Sequence, residues 1–191
     1  PRVDFAQGRC GHRAGAYFYL ENGECDDEMI FMVAVLNSYD KTIRASVAVG
    51  ASLFVCANGM ILGDHVVRRM HRGEGAACTI REFIYDSVAS HHKTMEEARA
   101  LRRELITVGM GFAEQARAAG ELFITHGLLN SWEMTVVRNE IREPSFDYGP
   151  GTDETAWQFY QHVTHALKNS QPDEYMRKQK ELYRYFVERY L

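Results

Sequence analysis

The sequence predicts an α+β fold, an N-terminal antiparallel β-meander of about four strands followed by a helical part of about five to six helices. Three observations predict it. Between residues 16 and 56 the apolar runs are short and separated by turn residues. From about residue 76 onward the apolar positions recur at three- and four-residue steps. No Pro/Gly/Ser-rich or low-complexity linker divides the 191 residues, of which 46% are hydrophobic. The expectation is one domain over residues 1–191, strand-rich in 1–62 and helical in 76–191.

The first strand is Ala16-Tyr17-Phe18-Tyr19-Leu20, followed by the turn Asn22-Gly23-Glu24. Residues 29–36, MIFMVAVL, are too continuously apolar to alternate, so this strand is expected to be covered on both faces. Residues 37–42 read as a connecting turn. Residues 43–49 alternate, placing Arg44, Ser46 and Ala48 on one face and Ile43, Ala45, Val47 and Val49 on the core face. Leu53-Phe54-Val55-Cys56 is a last short strand, stopped at Ala57-Asn58-Gly59.

Thr79-Ile80-Arg81-Glu82 fits a capping box, and Thr94-Met95-Glu96-Glu97 repeats the signature. The second helix carries Ala98, Leu101, Leu105, Val108 and Phe112 as a core stripe, with Gly109 and Gly111 predicting a kink or close packing. Shorter helices are expected over 121–129 and 132–142. A loop over 144–151 precedes a helix capped by Thr152 or Asp153 and running to about Lys168. Pro172 opens the last helix, where a missing amide costs little. Tyr175, Gln179, Leu182, Phe186 and Tyr190 line one of its faces, a core stripe that could alternatively serve an oligomer contact.

A net charge of −4 and a pI near 6.1 argue against a uniformly basic surface, though not against a local basic groove. No run approaches the ~18–20 apolar residues of a membrane span, and the start Pro1-Arg2-Val3-Asp4 lacks signal-peptide design. Cytoplasmic residence is the expectation. Cys10, Cys25, Cys56 and Cys78 read as reduced, with Cys56 as packing. The sequence contains no GxSxG, no Walker A loop and no GxGxxG opening a helix after a strand. It therefore reads as non-enzymatic, with no cofactor and no catalytic residue assigned.

Three constellations are candidates for binding. In residues 64–103, Lys and Arg outnumber Asp and Glu, whereas the rest of the chain is acidic. Arg68, Arg69 and Arg72 form its densest part, a loop leading into a helix start, and Arg81 and Lys93 follow. Loop amides, a helix N-terminus and arginines together suit phosphate. The alternative is a solvated face with ordinary helical pairs such as Glu96 with Arg99. Tyr39, Lys41 and Arg44 offer stacking beside cations, as single strands require. Tyr17 and Tyr19 read more readily as core. Cys10, His12 and Cys25, or the i,i+3 pair His162 and His165, offer metal-ligand chemistry without the spacing that fixes a zinc site, so no metal is assigned.

Residues 37–44 (NSYDKTIR), 54–60 (FVCANGM), 69–71 (RMH) and 155–164 (TAWQFYQHVT), in that order, resemble the phage- and plasmid-related family catalogued as domain of unknown function 932. The resemblance spans roughly residues 37–186. Tyr39 stands where that family usually has His, Lys41 where it has Gly, and Gln161 where it has Asn. The resemblance implies a protein of phages, prophages and plasmids without an established enzymatic role, of a kind that accompanies DNA replication and recombination. Together with the basic and aromatic features, it leads to the expectation of a homo-oligomeric single-stranded DNA-binding protein acting in replication, recombination or transcription. Its contacts are expected at Tyr39, Lys41, Arg44, Arg68, Arg69, Arg72, Arg81 and Lys93. The alternative is a protein-interaction module that inhibits or redirects a host factor, with phage or host transcription and replication proteins as partners.

Overall fold

The computed structural model describes residues 2–7, 12–20, 29–41, 43–53, 58–69 and 74–191. Among the described residues five strands form one antiparallel sheet in sequence order: β1 (Arg2–Gln7), β2 (Arg13–Leu20), β3 (Met29–Ser38), β4 (Ala45–Leu53) and β5 (Gly59–Arg69). Six α-helices follow among the described residues: α1 (Glu74–Ala89), α2 (His91–Thr107), α3 (Phe112–Gly120), α4 (Ser131–Arg142), α5 (Ala156–Leu167) and α6 (Pro172–Tyr190). A single π-helical turn, Glu121–Thr125, extends α3. The expected meander followed by helices is therefore present, with β1 added at one edge and β5 at the other.

β5 is the instructive miss. The sequence predicts a last strand stopping at residues 57–59 and places Arg68 and Arg69 in a loop, yet Gly59–Arg69 is a strand of eleven residues. Its charged C-terminal end, Asp64-His65 and then Arg68-Arg69, masked the strand signal of its β-branched members. The expected short strand at 53–56 is not separate. Leu53 ends β4, and residues 54–57, with Cys56, lie outside the described residues, as does the turn at 22–24.

Directly paired residues of an antiparallel sheet share a face, which assigns each row. The row Tyr17–Ala34–Ala48 lies on one face and the row Phe18–Val33–Val49 on the other. On the first face, Tyr19, Ile30, Met32, Ala34, Leu36, Ala48 and Ile61 are buried beneath Met176 of α6. On the second, Phe31, Val33, Val47, Val49 and Leu62 join Met95, Ala98, Leu101 and Leu105 of α2 and the apolar residues of α5. β3 is thus covered on both faces, as its unbroken apolar run requires. Ser46 and Ala48 are buried too, under α6. Ile43 precedes β4, escapes its alternation, and packs on the α6 side rather than with Val47 and Val49.

Gly50 marks a register shift in the β4–β5 pairing. A Cβ there would lie 1.7 Å from the Met60 carbonyl oxygen, so the two backbones meet only because no side chain intervenes.

Helix starts differ from both predicted capping boxes. Thr79 lies inside α1, where its hydroxyl donates to the Gly75 carbonyl at 2.9 Å, and Thr94 is buried inside α2. Ser90 occupies the N-cap of α2 without capping it, its hydroxyl donating instead to the Asp86 carbonyl at 2.6 Å. The α2 stripe ends early. Val108 is already extended, its carbonyl accepts from Ala156 N at 2.9 Å, and Phe112 is exposed at the start of α3. Gly109 and Gly111 therefore accompany a break, where the chain pairs with Thr155. The helix expected over 121–129 is only the π turn, whereas α4, α5 and α6 fall where predicted. Thr155, not Thr152 or Asp153, caps α5.

Candidate nucleic-acid interface

The turn between β3 and β4 is built by Ser38. Its hydroxyl donates to the Ile43 carbonyl and accepts from Ile43 N, both at 3.2 Å, while Ser38 N donates to its neighbour Asn37 Oδ1 at 2.9 Å. Tyr39 N donates to the His12 carbonyl at 2.8 Å, tying the turn to the start of β2. With its backbone so anchored, the Tyr39 ring is 92% exposed. Lys41 takes the left-handed conformation (φ 59°) that a tight reversal demands. Lys41 and Arg44 are exposed.

The row Leu36–Ser46–Arg68 carries Arg68 to this same sheet end, on the α6 face. Arg44, Arg68 and Arg177 of α6 line a groove of about 320 Å³ floored by Leu36, Ile43 and Met176. Glu174 also lines it, and Arg177 is paired with Glu181 at 2.7 Å, so the groove is basic without being purely so. On the opposite face a hollow of about 580 Å³ lies between the sheet and α1, walled by Ile80, Arg81, Ile84 and Tyr85.

Of the predicted contacts, Tyr39, Lys41, Arg44, Arg68 and Arg81 thus converge on one end of the sheet. Arg68 and Arg69 belong to β5, not to a loop. The side chain of Arg69 and the whole of Arg72 lie outside the described residues, as do the Arg-Met-His segment beyond Arg69 and the glycine leading into α1. Lys93 is not part of this group. It is exposed in the first turn of α2, beside His91, whose ring meets Phe31 at 6.0 Å near the opposite end of β3. Tyr19 is buried, and Tyr17 is half-buried against Tyr175 in an edge contact at 5.8 Å; burial raises its hydroxyl pKa to about 12. Both are core aromatics. Sequence reading missed Tyr85, exposed on α1, and Arg177, hidden in a helix judged by its apolar stripe.

The motif residues that carry the resemblance do something else. Asn58 Nδ2 donates to the carbonyl of Gln161 at 3.1 Å and to its side-chain Oε1 at 3.2 Å. The Thr164 hydroxyl donates to the Gln161 carbonyl at 2.9 Å. All three residues are buried, so the strand-end Asn and the α5 segment form a polar joint between sheet and helices. His162 beside them is 1% exposed, finds no hydrogen-bond partner for either ring nitrogen among the described residues, and lies obliquely near Tyr148 at 5.9 Å. Burial pushes its pKa down to about 4, against the opposing pull of Glu140. His165 Nε2 lies 3.9 Å from Glu140 Oε1, and burial lowers its pKa also. Among the described residues no three His, Cys, Asp or Glu side chains come together as a metal site. Cys10 and Cys25 lie outside the described residues, and no described helix is long and apolar enough to cross a membrane.

The model of the family described as Domain of unknown function (DUF932) matches residues 10–186. The chain belongs to that family. The match takes in the strand-end Asn58, the α5 segment and the basic sheet end alike. No curated protein and no solved structure shows a significant match to the chain.

Proposed function

We propose that this family member is a non-enzymatic single-stranded DNA-binding protein of phages or other mobile elements, serving replication, recombination or transcription. One observation carries the reading: Arg68 of β5 and Arg81 of α1, distant in sequence, meet Tyr39, Lys41 and Arg44 of the β3–β4 turn at one sheet end of a protein whose net charge is −4. Local cations in an acidic molecule focus a polyanion on one place. The exposed Tyr39 ring adds a face on which any base can stack.

The test is fluorescence anisotropy with a labelled oligo-dT at low and moderate salt. Binding stronger for single than for double strands, falling steeply with salt, is expected. Arg44→Ala with Arg68→Ala should weaken it for every sequence tried. Absence of binding at low salt, or equal affinity for duplex, would sink the proposal.

A second reading, a protein-interaction module directed at a host factor, draws on Phe112, Ile124 and Trp132, large apolar side chains exposed on α3, the π turn and α4. Recovery of one stoichiometric host protein by wild type but not by Trp132→Ala, in nuclease-treated lysate, would favour it.

A further inference from the structure

The hollow between α1 and the sheet has the opposite character to the arginine groove. Its volume of about 580 Å³ lies within the range of small-ligand clefts. Val35 and Ala45 from the sheet and Ile80 and Ile84 from α1 give it apolar walls, none of them fully buried. Polar groups are few and sit at the rim. Asn37 is exposed at the end of β3, and among the described residues the Arg81 guanidinium reaches only the Cys78 thiol, at 4.0 Å. Tyr85 is 69% exposed, an aromatic ring left at the mouth of an apolar hollow.

Leu36 and Ser46 border both this hollow and the arginine groove, so the two open back to back across the same sheet end. A groove of cations next to an apolar cleft with an exposed ring matches a strand that holds its phosphates on one side and turns a base in on the other. We propose that the hollow receives an unstacked base of single-stranded DNA, with Tyr85 as its stacking face and Asn37 and Arg81 at its edge. This rests on the reading of the sheet end as a single-strand site, and adds that the bases, not only the phosphates, are bound.

The experiment compares an oligonucleotide with one of equal length made of abasic deoxyribose phosphates, using wild type, Tyr85→Ala, Tyr85→Trp and Arg44→Ala/Arg68→Ala. Wild type should prefer the natural oligonucleotide. Tyr85→Ala should lose roughly tenfold or more in affinity for it, as expected for one stacked base, and keep its affinity for the abasic strand, while Tyr85→Trp binds both like wild type. The double arginine variant should weaken for both strands. If Tyr85→Ala weakens both equally, or neither, while the arginine variant still weakens both, the base hollow is overturned and the single-strand site stands. If wild type binds neither strand, both fall.

Discussion

At the scale of single residues, the buried imidazole of His162 makes the most direct prediction. Its pKa is lowered in the folded protein, so between about 6.5 and about 4 the unfolded chain binds more protons than the native one. Stability is therefore complete above the unfolded value and is lost as pH falls through that window, by about 3 kcal/mol for a shift of this size. The neighbouring groups are Glu140, which favours the proton, His165, which opposes it, and the Tyr148 ring. His165 shifts in the same direction and adds to the slope. Urea midpoints measured from pH 7 to pH 4 should fall in wild type and fall less in His162→Leu; parallel profiles would refute the assignment. Gly50 makes a second prediction. Gly50→Ala should cost at least ~3 kcal/mol, because the Met60 carbonyl it would strike belongs to a paired backbone that cannot swing away as a side chain could. A urea midpoint within experimental scatter of wild type would contradict it. Gly50 did not announce itself in the sequence, because a glycine in a strand acquires its role only from what crosses it. His162 stood out there beside His165 as a candidate metal ligand, but its burial follows from the packing of α5, which a linear reading does not contain.

Among the elements, α6 depends on a charge held where charges are expensive. Lys178 Nζ donates to both carboxylate oxygens of Glu133 at 2.7 and 2.8 Å, and both residues are buried. Glu133 also closes the capping box of α4, accepting from Asn130 N at 2.8 Å, and accepts from the Ser170 hydroxyl. One carboxylate thereby fixes the start of α4, the loop before α6 and the body of α6. Removing only the cation leaves it stranded, so Lys178→Met should cost about 3–5 kcal/mol. Adding Glu133→Gln should recover much of that, since a neutral amide oxygen still caps α4 without needing a counter-charge. Chemical denaturation of the single and double variants checks this, and a double variant weaker than Lys178→Met would overturn it. The start of α6 was readable because Pro172 acts locally, whereas the caps of α4 and α5, Asn130 and Thr155, did not stand out although they too bond to their own first turns. The capping boxes at Thr79 and Thr94 misled because the same residue pattern sits comfortably inside a helix, with Thr79 bonding back to Gly75.

For the whole molecule, the order of strands and helices was legible because side-chain period changes from two to between three and four, and period depends only on neighbours in sequence. The sheet end was half legible. Tyr39, Lys41 and Arg44 lie in one turn, whereas Arg68 reaches them through a strand pairing and Arg177 through the packing of α6, neither of which a linear reading contains. That distribution leads to a prediction about salt. If Arg44, Arg68 and Arg81 each neutralise a phosphate, log affinity should fall linearly with log salt, and each arginine removed should lower the slope by about 0.7, the value for single strands. Lys93→Ala, at the far end of the sheet, should leave the slope as it was. Tyr39→Ala should reduce affinity at all salt concentrations without changing the slope, because stacking releases no counterion. Titrations at four or five salt concentrations separate these effects. A slope that drops for Lys93→Ala but not for Arg44→Ala or Arg68→Ala would move the strand to the α2 end of the sheet, where its cations would be those of α2 rather than of β5.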